Sequence, residues 1–381
     1  MQKGYTPFAE GDILWAKITP CMQNGKTCIV RGLTNKVGFG STEFHVLRVL
    51  AEDILKEFVW EFISQDSLRR AATYAFTGSA GHQRVPETFL AALPFPKLSY
   101  EKQIQLVTHM NSSRLAKQAK LAEADSLMTG LDGFLLKTLG IDFPPKEKRG
   151  VFAIKRSLLN RRVDAYSNQP HFRAFFEALY NSKYKVVSLK KVAERIFSGS
   201  TPLAKSEAYV EPPLGVRFIR SGEITPDGGV AHNSEVHISD VIHESVLKGS
   251  QLERGDLLIA IVGATIGAVG VYDRIEPANI NQAIAAVRLK ANSIKPDYVC
   301  WYMHSSIGQQ ILDYFKRPVA PANINLEEVG DIPLHIPPIE LQNEIVDEVN
   351  RRRKEAQQLH LEAETEWKAA KLWFEEQLLG G

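Results

Sequence analysis

Several things are scarce in this 381-residue chain, and each scarcity excludes something. There are three cysteines, Cys21, Cys28 and Cys300. The opening MQKGYTPFAEGD has no apolar signal core, so a sparse, odd set of thiols reads as reduced, in a cytoplasm, rather than as a disulfide framework. Cys21 and Cys28 stand seven apart with no second pair, which does not indicate zinc. No apolar run approaches the roughly 18 residues of a membrane span. Neither sign of charge dominates: 46 Lys and Arg against 44 Asp and Glu leave a net +2. That balance neither demands nor excludes nucleic acid, because a local basic face matters more than the sum. With 44% hydrophobic and 24% charged residues the composition is that of an ordinary soluble globular protein of two or three domains.

Catalytic signatures are equally scarce. Gly263-Ala264-Thr265-Ile266-Gly267-Ala268-Val269-Gly270 follows a strand pattern, but it lacks the Gly-Lys-Ser/Thr ending of a phosphate loop and the G-x-G-x-x-G spacing. Tight turns and close strand packing explain it better. Asp227 with Glu235 resembles a nuclease carboxylate pair, but His237 stands where the lysine belongs. Ten histidines include no H-E-x-x-H, and no G-x-S-x-G is present. Glu211-Pro212-Pro213-Leu214 is not the Asn/Asp-Pro-Pro-aromatic segment with which an amino-methyltransferase holds a flipped base. The chain reads as a non-enzyme that binds no cofactor or metal of its own.

What is present is a long duplication. Gly11-Asp12-Ile13-Leu14-Trp15-Ala16-Lys17-Ile18 recurs as Gly255-Asp256-Leu257-Leu258-Ile259-Ala260-Ile261-Val262. At a nearly constant offset of about 240 residues, Glu43 to Val49 lies over Ala283 to Leu289, with Arg48 on Arg288. Phe58-Val59 lies over Tyr298-Val299, and Leu93-Pro94-Phe95-Pro96 with Glu101 and Gln103 over Ile332-Pro333-Leu334-His335 with Glu340 and Gln342. A period this long is too great for a solenoid and indicates two copies of a domain plus a helix. Two related surfaces held apart by a spacer suit a target with two separated, related sites.

Local patterns fill in the plan. Ile13 to Ile18 and Thr27 to Val30 read as strands around Gln23-Asn24-Gly25, where Asn-Gly predicts a tight hairpin. Helical periodicity appears at Phe58, Phe62 and Leu68, and a loop at Thr77 to Gly81. Leu93-Pro94-Phe95-Pro96 must be extended. From Tyr100 to Gly140, Leu121, Ala124, Met128, Leu131 and Leu135 recur at three and four spacing, a coiled-coil seam that Gly140 and Pro144-Pro145 end. Ile345, Val349, Arg352, Ala356, Leu359 and Ala363 repeat the rhythm, extended by Trp367, Ala370 and Trp373. Each helix of about 40 residues would be near 60 Å long, and polar helices of that length should pack on each other. The expected boundaries are a first globular domain at 1–98, helix 99–141, a moderately basic connector 142–183 (Lys146 to Arg149, Lys155-Arg156), a second domain 184–337 and helix 338–381. The fold class is α+β: two globular domains separated by two long helices packed as an antiparallel coiled coil. The second copy carries about 80 residues ahead of its matching segment and the first about ten, so the first domain reads as shortened at its amino-terminal side.

Nucleic acid is suggested locally. His82, Gln83 and Arg84 follow a glycine loop, and their counterpart holds Asn323 and Asn325. Asn, Gln and Arg can make paired hydrogen bonds to base edges. Ser200, Thr201 and Lys205, with Arg217 and Arg220, offer phosphate donors. A polar loop residue alone is more often merely solvated; their equivalent placement in two repeats is what raises them.

These residues resemble the specificity subunit of type I restriction-modification systems. Ser198-Gly199-Ser200-Thr201-Pro202 is similar to that family's early target-domain segment, and Phe218 to Ile224 to its following strand and turn. The two Gly-Asp-hydrophobic segments resemble its central strand start. Ile332 to Gln342 resembles its junction into the long helix, with a degenerate version at Leu93 to Gln103, and Arg162-Val163-Asp164-Ala165-Tyr166 its lead into a target domain. The resemblance spans essentially the whole chain. It implies two target recognition domains, each reading half of a split double-stranded DNA site. It implies paired helices that set half-site spacing and dock adenine methyltransferase subunits, and through them a restriction and translocation subunit. S-adenosylmethionine, ATP and Mg2+ would then sit on those partners. The first domain departs from the pattern: it lacks the Ser-Gly-Ser-Thr-Pro and Arg-x-Asp-x-x-Tyr segments. Two other readings stay open, a DNA-cleaving or DNA-modifying protein acting alone and a coiled-coil scaffold that never touches DNA.

Overall fold

The computed structural model describes residues 4–79, 81–146, 150–156, 159, 163–203, 207–231, 236–291, 294–316 and 322–379. Two compact units divide the chain, Met1–Asp125 with Ala356–Gly381, and Ser126–Glu355. Strands and helices mix in both, as an α+β chain requires.

Unit 1 opens with strands β1 (Thr6–Ala9), β2 (Ile13–Ala16), β3 (Thr27–Ile29), β4 (Val37–Gly40) and β5 (Phe44–Leu47), followed by helices α1 (Lys56–Ile63), α2 (Asp66–Tyr74) and α3 (Glu87–Ala91). The central sheet runs β3-β2-β5, antiparallel throughout, and β1 pairs with β4 beside it. Ile13 and Trp15 turn inward onto Ile63, Leu68 and Ala72, whereas Leu14 and Ala16 are only half-buried. Among the described residues, one face of this sheet is thus covered by helices and the other is only half-buried. The β2–β3 connection is not the tight Asn-Gly hairpin that the sequence suggests. Residues 18–25 wind through consecutive turns, Met22 N–H to Ile18 C=O and Asn24 N–H to Pro20 C=O, and Gly25 closes them at φ +67°.

The helix α4 (Tyr100–Leu139) follows, then α5 (Pro170–Tyr180), β6 (Val186–Ser188), α6 (Leu189–Val192), β7 (Ala193–Ser198), β8 (Tyr209–Val210), β9 (Val216–Ile219), β10 (His237–Ile238) and α7 (Asp240–Glu244). Next come β11 (Leu257–Ala260), β12 (Val269–Val271), β13 (Ala278–Ile280), β14 (Ile284–Leu289), α8 (Pro296–His304), α9 (Ser306–Phe315), α10 (Leu326–Gly330), β15 (Pro333–His335) and α11 (Ile339–Leu379). In unit 2 one sheet runs β12-β11-β14-β7 and a second β13-β9-β10-β8. Every residue of β11 is buried. Leu257 and Ile259 join Tyr298, Tyr302 and Ile311 of the helices, while Leu258 and Ala260 join Ile219 and Ile280 of the other sheet. Burial on both faces is why this strand is a continuous apolar run instead of an alternating one. The stretch expected to be a plain connector is partly core here: Phe175 and Leu179 of α5 pack with Leu135, Leu139 and Ile141.

The duplication is visible in detail. Gly11 and Gly255 both take positive φ (+88° and +95°), which turns the chain so that the next residue, Asp12 or Asp256, accepts a hydrogen bond from the backbone N–H three residues earlier, Ala9 or Glu253. Gln103 accepts from Leu55 N–H and donates to Leu98 C=O; Gln342 accepts from Lys295 N–H and donates to Pro337 C=O. The repeated Gly-Asp and Gln positions are therefore structural locks.

The long helices pair within each unit. In unit 1, Lys102 bonds Gln377, Lys117 pairs with Glu364, and Lys120 with Glu362 and Glu366. Positions rise along α4 as they fall along α11, so the pairing is antiparallel. In unit 2 the Arg352 guanidinium lies 5.3 Å from the Phe134 ring. Ile345, Val349, Ala356, Ala363 and Ala370 are buried as the seam expects. Two positions differ. Met128 is 41% exposed while its neighbour Leu127 turns partly inward, and Phe374, not Trp373, is fully buried. The 3.6-residue turn drifts against a strict seven-residue repeat, which moves the seam by one position. At the end of α4, Gly140 (φ +67°) lets Ile141 N–H reach Leu136 C=O, a glycine cap.

Candidate nucleic-acid interface

Strand register brings one set of loops to one end of unit 2. Ser198 at the end of β7 lies opposite Ala285, Ala260 at the end of β11 opposite Ile284, and Ile280 at the end of β13 beside Ile219 at the end of β9. The segments that leave these ends hold Ser200, Thr201, Arg220, Ser221, Thr265, Gln282 and Asn323. They are tied together: Thr201 Oγ1 bonds Gln282 Oε1, Thr265 Oγ1 bonds Ser221 Oγ at 3.1 Å, and Val262 bridges Asn323. Gly199 is required by close approach, because a Cβ there would lie 1.6 Å from the Ile280 carbonyl oxygen. The Ser-Gly-Ser-Thr-Pro segment thus crosses directly over the end of β13; Ser198 Oγ donates to Ile284 C=O, while the hydroxyls of Ser200 and Thr201 stay at the surface. Ser200, Thr201 and Arg220 are exposed, and Asn323 is half-buried.

Not every expected donor is available. Arg217 must be corrected as a phosphate donor: it is only 9% exposed, its Nη2 bonds Ala231 C=O, and Glu223 lies 3.8 Å away. It belongs to β9, whose four residues are all buried, so the strand's burial on both faces won over the residue's polarity. Burial, with Arg274 nearby, lowers its guanidinium from the usual value. Arg220 is the usable cation of the pair; its backbone N–H donates to Glu223 at 2.7 Å and its side chain is exposed. Asn325 accepts Glu328 N–H at 2.8 Å as the cap of α10, which binds its side-chain oxygen locally. Lys205 lies outside the described residues, as do Arg162 and Glu235 of the other motifs. Asp227, the remaining member of the suspected carboxylate pair, bonds Thr225 and lies 3.5 Å from Arg353. It fixes a turn, and among the described residues no cluster could hold a metal. Gln282, Ser221 and Thr265 were missed, because only the fold brings residues from three separate turns together.

The matching end of unit 1 is built from β2, β5 and the loop 77–84. Ile18 bridges Arg84 where Val262 bridges Asn323, and Thr19 N–H donates to Gln83 C=O. His82 is exposed and Gln83 half-buried. Arg84 is held on Glu43 by two hydrogen bonds of 2.8 and 2.7 Å and also donates to His82 C=O. That ion pair keeps the Glu43 carboxyl below its ordinary value and props the loop, so Arg84 shapes the surface more than it presents a free fork. Elsewhere in unit 2, a depression of about 700 Å³ is lined by Phe172, Phe176, Tyr314, Glu177, Glu327 and Asp331. Its acidic rim is the wrong sign for a phosphate chain.

Comparison with known proteins agrees with this frame. Residues 181–360 match the family model for the type I restriction modification DNA specificity domain. The chain is 26% identical over 432 residues to the type I restriction enzyme EcoEI specificity subunit of Escherichia coli, covering 95% of this chain and 72% of that protein. It is 41% identical over 106 residues to the EcoAI specificity subunit of the same organism, covering 27% of this chain and 18% of that one. Among solved structures, a chain from a type I R-M system, described for its complex assembly and conformational transition, superposes with a TM-score of 0.65 at 16% identity, over 99% of this chain and 83% of the other. That likeness shows the fold. Residues 181–360 thus carry the type I restriction modification DNA specificity domain, and over most of its length the chain is similar to a type I restriction enzyme specificity subunit.

Proposed function

We propose that this chain reads a bipartite double-stranded DNA site, one half with each repeated core, and docks methyltransferase subunits on its paired helices. As a specificity subunit it is the recognition component of its system, not the catalyst. The observation that carries the reading is the equivalence of two loop ends. Ile18 bridges Arg84 in one copy and Val262 bridges Asn323 in the other, so one scaffold presents different side chains at the same place twice. Such a device changes the bases read without changing the frame. In the second half-site, Ser200, Thr201, Lys205 and Arg220 would contact phosphates, and Asn323 and Gln282 would reach base edges. In the first, His82 and Gln83 would do so. S-adenosylmethionine, ATP and Mg2+ would be held by methyltransferase and restriction subunits, and the assembly would work in the cytoplasm.

The decisive experiment maps methylated positions in a host genome with and without this gene. A split motif that vanishes with the gene supports the reading; an unchanged methylome sinks it. Incubating the purified chain with DNA, Mg2+ and S-adenosylmethionine tests the solitary-enzyme alternative, which requires cut or methylated product. Salt titration of duplex binding tests the scaffold alternative, since phosphate contacts give a steep negative slope.

A further inference from the structure

Each long helix holds the globular core beside it at two points, and both copies do so with the same residue types. Gln103 of α4 accepts Leu55 N–H at the start of α1; eleven residues on, Arg114 stacks on Trp60 and bonds Glu61 in the second half of α1. Gln342 of α11 accepts Lys295 N–H at the start of α8; eleven residues on, the Arg353 guanidinium lies 4.6 Å from the centre of the Trp301 ring. Eleven residues of helix span about 16 Å, so the two contacts are well separated. One contact leaves a hinge, whereas two separated contacts fix an angle.

In unit 2 the second contact reaches beyond α8. Arg353 also lies 3.5 Å from Asp227, in the turn 225–229. That turn closes a stiff hairpin: Ile224 bridges Val230, Thr225 N–H donates to Gly229 C=O, and Ala231 N–H donates to Glu223 C=O. It is also closely seated. Val271 N–H donates to Gly228 C=O, and a Cβ on Gly228 would come within 3.0 Å of the Trp301 ring and 3.1 Å of Cys300 Sγ. The chain just ahead of the hairpin carries Arg220 and Ser221 at the loop end described above. One rigid hairpin therefore couples α11 to those side chains.

We propose that Arg353 is a positioning residue for DNA recognition: by gripping Trp301 and Asp227 it holds the second core at one angle on α11 and so limits the half-site spacings that the chain accepts. One added base pair moves a half-site by about 3.4 Å along the duplex and turns it by roughly 34° about the axis. A core free to swing on its helix follows such a change, and a clamped one does not. The inference rests on the bipartite DNA reading and adds to it the residue that sets spacer tolerance.

The test uses the full chain with its methyltransferase subunit and the split motif mapped in the host genome. Competition binding compares duplexes with the mapped spacer, with one base pair more and with one fewer, and a fourth duplex that holds the second half-site alone. The parent should prefer the mapped spacer. Arg353→Met should reduce that preference roughly threefold to tenfold, while affinity for the lone half-site stays within about twofold. Asp227→Asn, at a side chain that is 59% exposed, should act in the same direction by less, and it decides alone if Arg353→Met does not fold. An undiminished preference, or an equal loss of affinity on all four duplexes, would overturn the inference and leave the DNA reading standing. A parent that binds the three spacers equally overturns it as well, and a host genome without a split motif removes both.

Discussion

Arg48 grips Asp12 through two parallel hydrogen bonds, Nε to Oδ1 and Nη2 to Oδ2, each 2.7 Å long. Arg288 repeats the grip on Asp256 at 3.0 and 2.9 Å. In each unit the pair ties the residue before the central strand to the residue at the end of its neighbour. It depresses the Asp12 carboxyl below its ordinary value, chiefly through the Arg48 hydrogen bonds.

Asp256→Ala should therefore destabilise unit 2 by about 3 kcal/mol, because Asp256 is 1% exposed and its loss leaves Arg288 poorly compensated. Glu253 still reaches Arg288 at 2.6 Å but is mostly solvated, so Glu253→Ala should cost far less. Urea unfolding monitored by far-UV circular dichroism checks both; equal effects would contradict the assignment.

Arg114 lies 4.7 Å from the Trp60 ring and 5.3 Å from the Trp367 ring, and bonds the buried carboxylate of Glu61. Burial pushes the Glu61 carboxyl up and Arg114 opposes it. Arg114→Met should cost about 3–5 kcal/mol at neutral pH, since it leaves a buried carboxylate alone. Because the folded-state value of Glu61 would then rise further above the unfolded one, the deficit should shrink as pH falls toward 5. Thermal melts at pH 5 and pH 8 measure this, and a pH-independent deficit would refute it.

His335 is fully buried, 2.6 Å from Ser182 Oγ and 3.0 Å from the Tyr302 hydroxyl, and burial lowers its ring to about 4. The neutral ring is the folded form, so its contribution is complete above the unfolded value near 6.5. It is lost as pH falls from there toward 4, by about 3 kcal/mol in total. His335→Gln should flatten the stability profile of unit 2 between those values. A variant with the same acid slope as the parent would place the titration elsewhere.

Arg220→Ala should weaken binding to every duplex alike and reduce the salt slope by about one. Asn323→Ala or Gln282→Ala should instead alter base preference in one half-site by about 1–3 kcal/mol. Competition binding against randomised duplexes separates the two outcomes. An unchanged preference after Asn323→Ala removes that loop as a reader.

The duplicated framework was legible in the residues themselves. Gly-Asp before a hydrophobic strand, an arginine some thirty residues on, and a glutamine at the start of each long helix recur at one offset, since each makes a local, directional bond that few residue types can make. The helices and their antiparallel seam were legible for a similar reason: burial repeats with the helical turn. What spacing could not convey was which polar residues remain at the surface. Arg217 resembles a phosphate ligand until β9 turns it inward, and Asn325 resembles a base reader until it caps α10. Only the assembled sheets bring Thr201 to Gln282 and Ser221 to Thr265, and only burial shows that β11 is covered on both faces while β2 is half-buried on one. Local hydrogen-bond chemistry and periodicity are written in neighbouring residues, whereas burial and convergence depend on segments distant in the chain meeting in space.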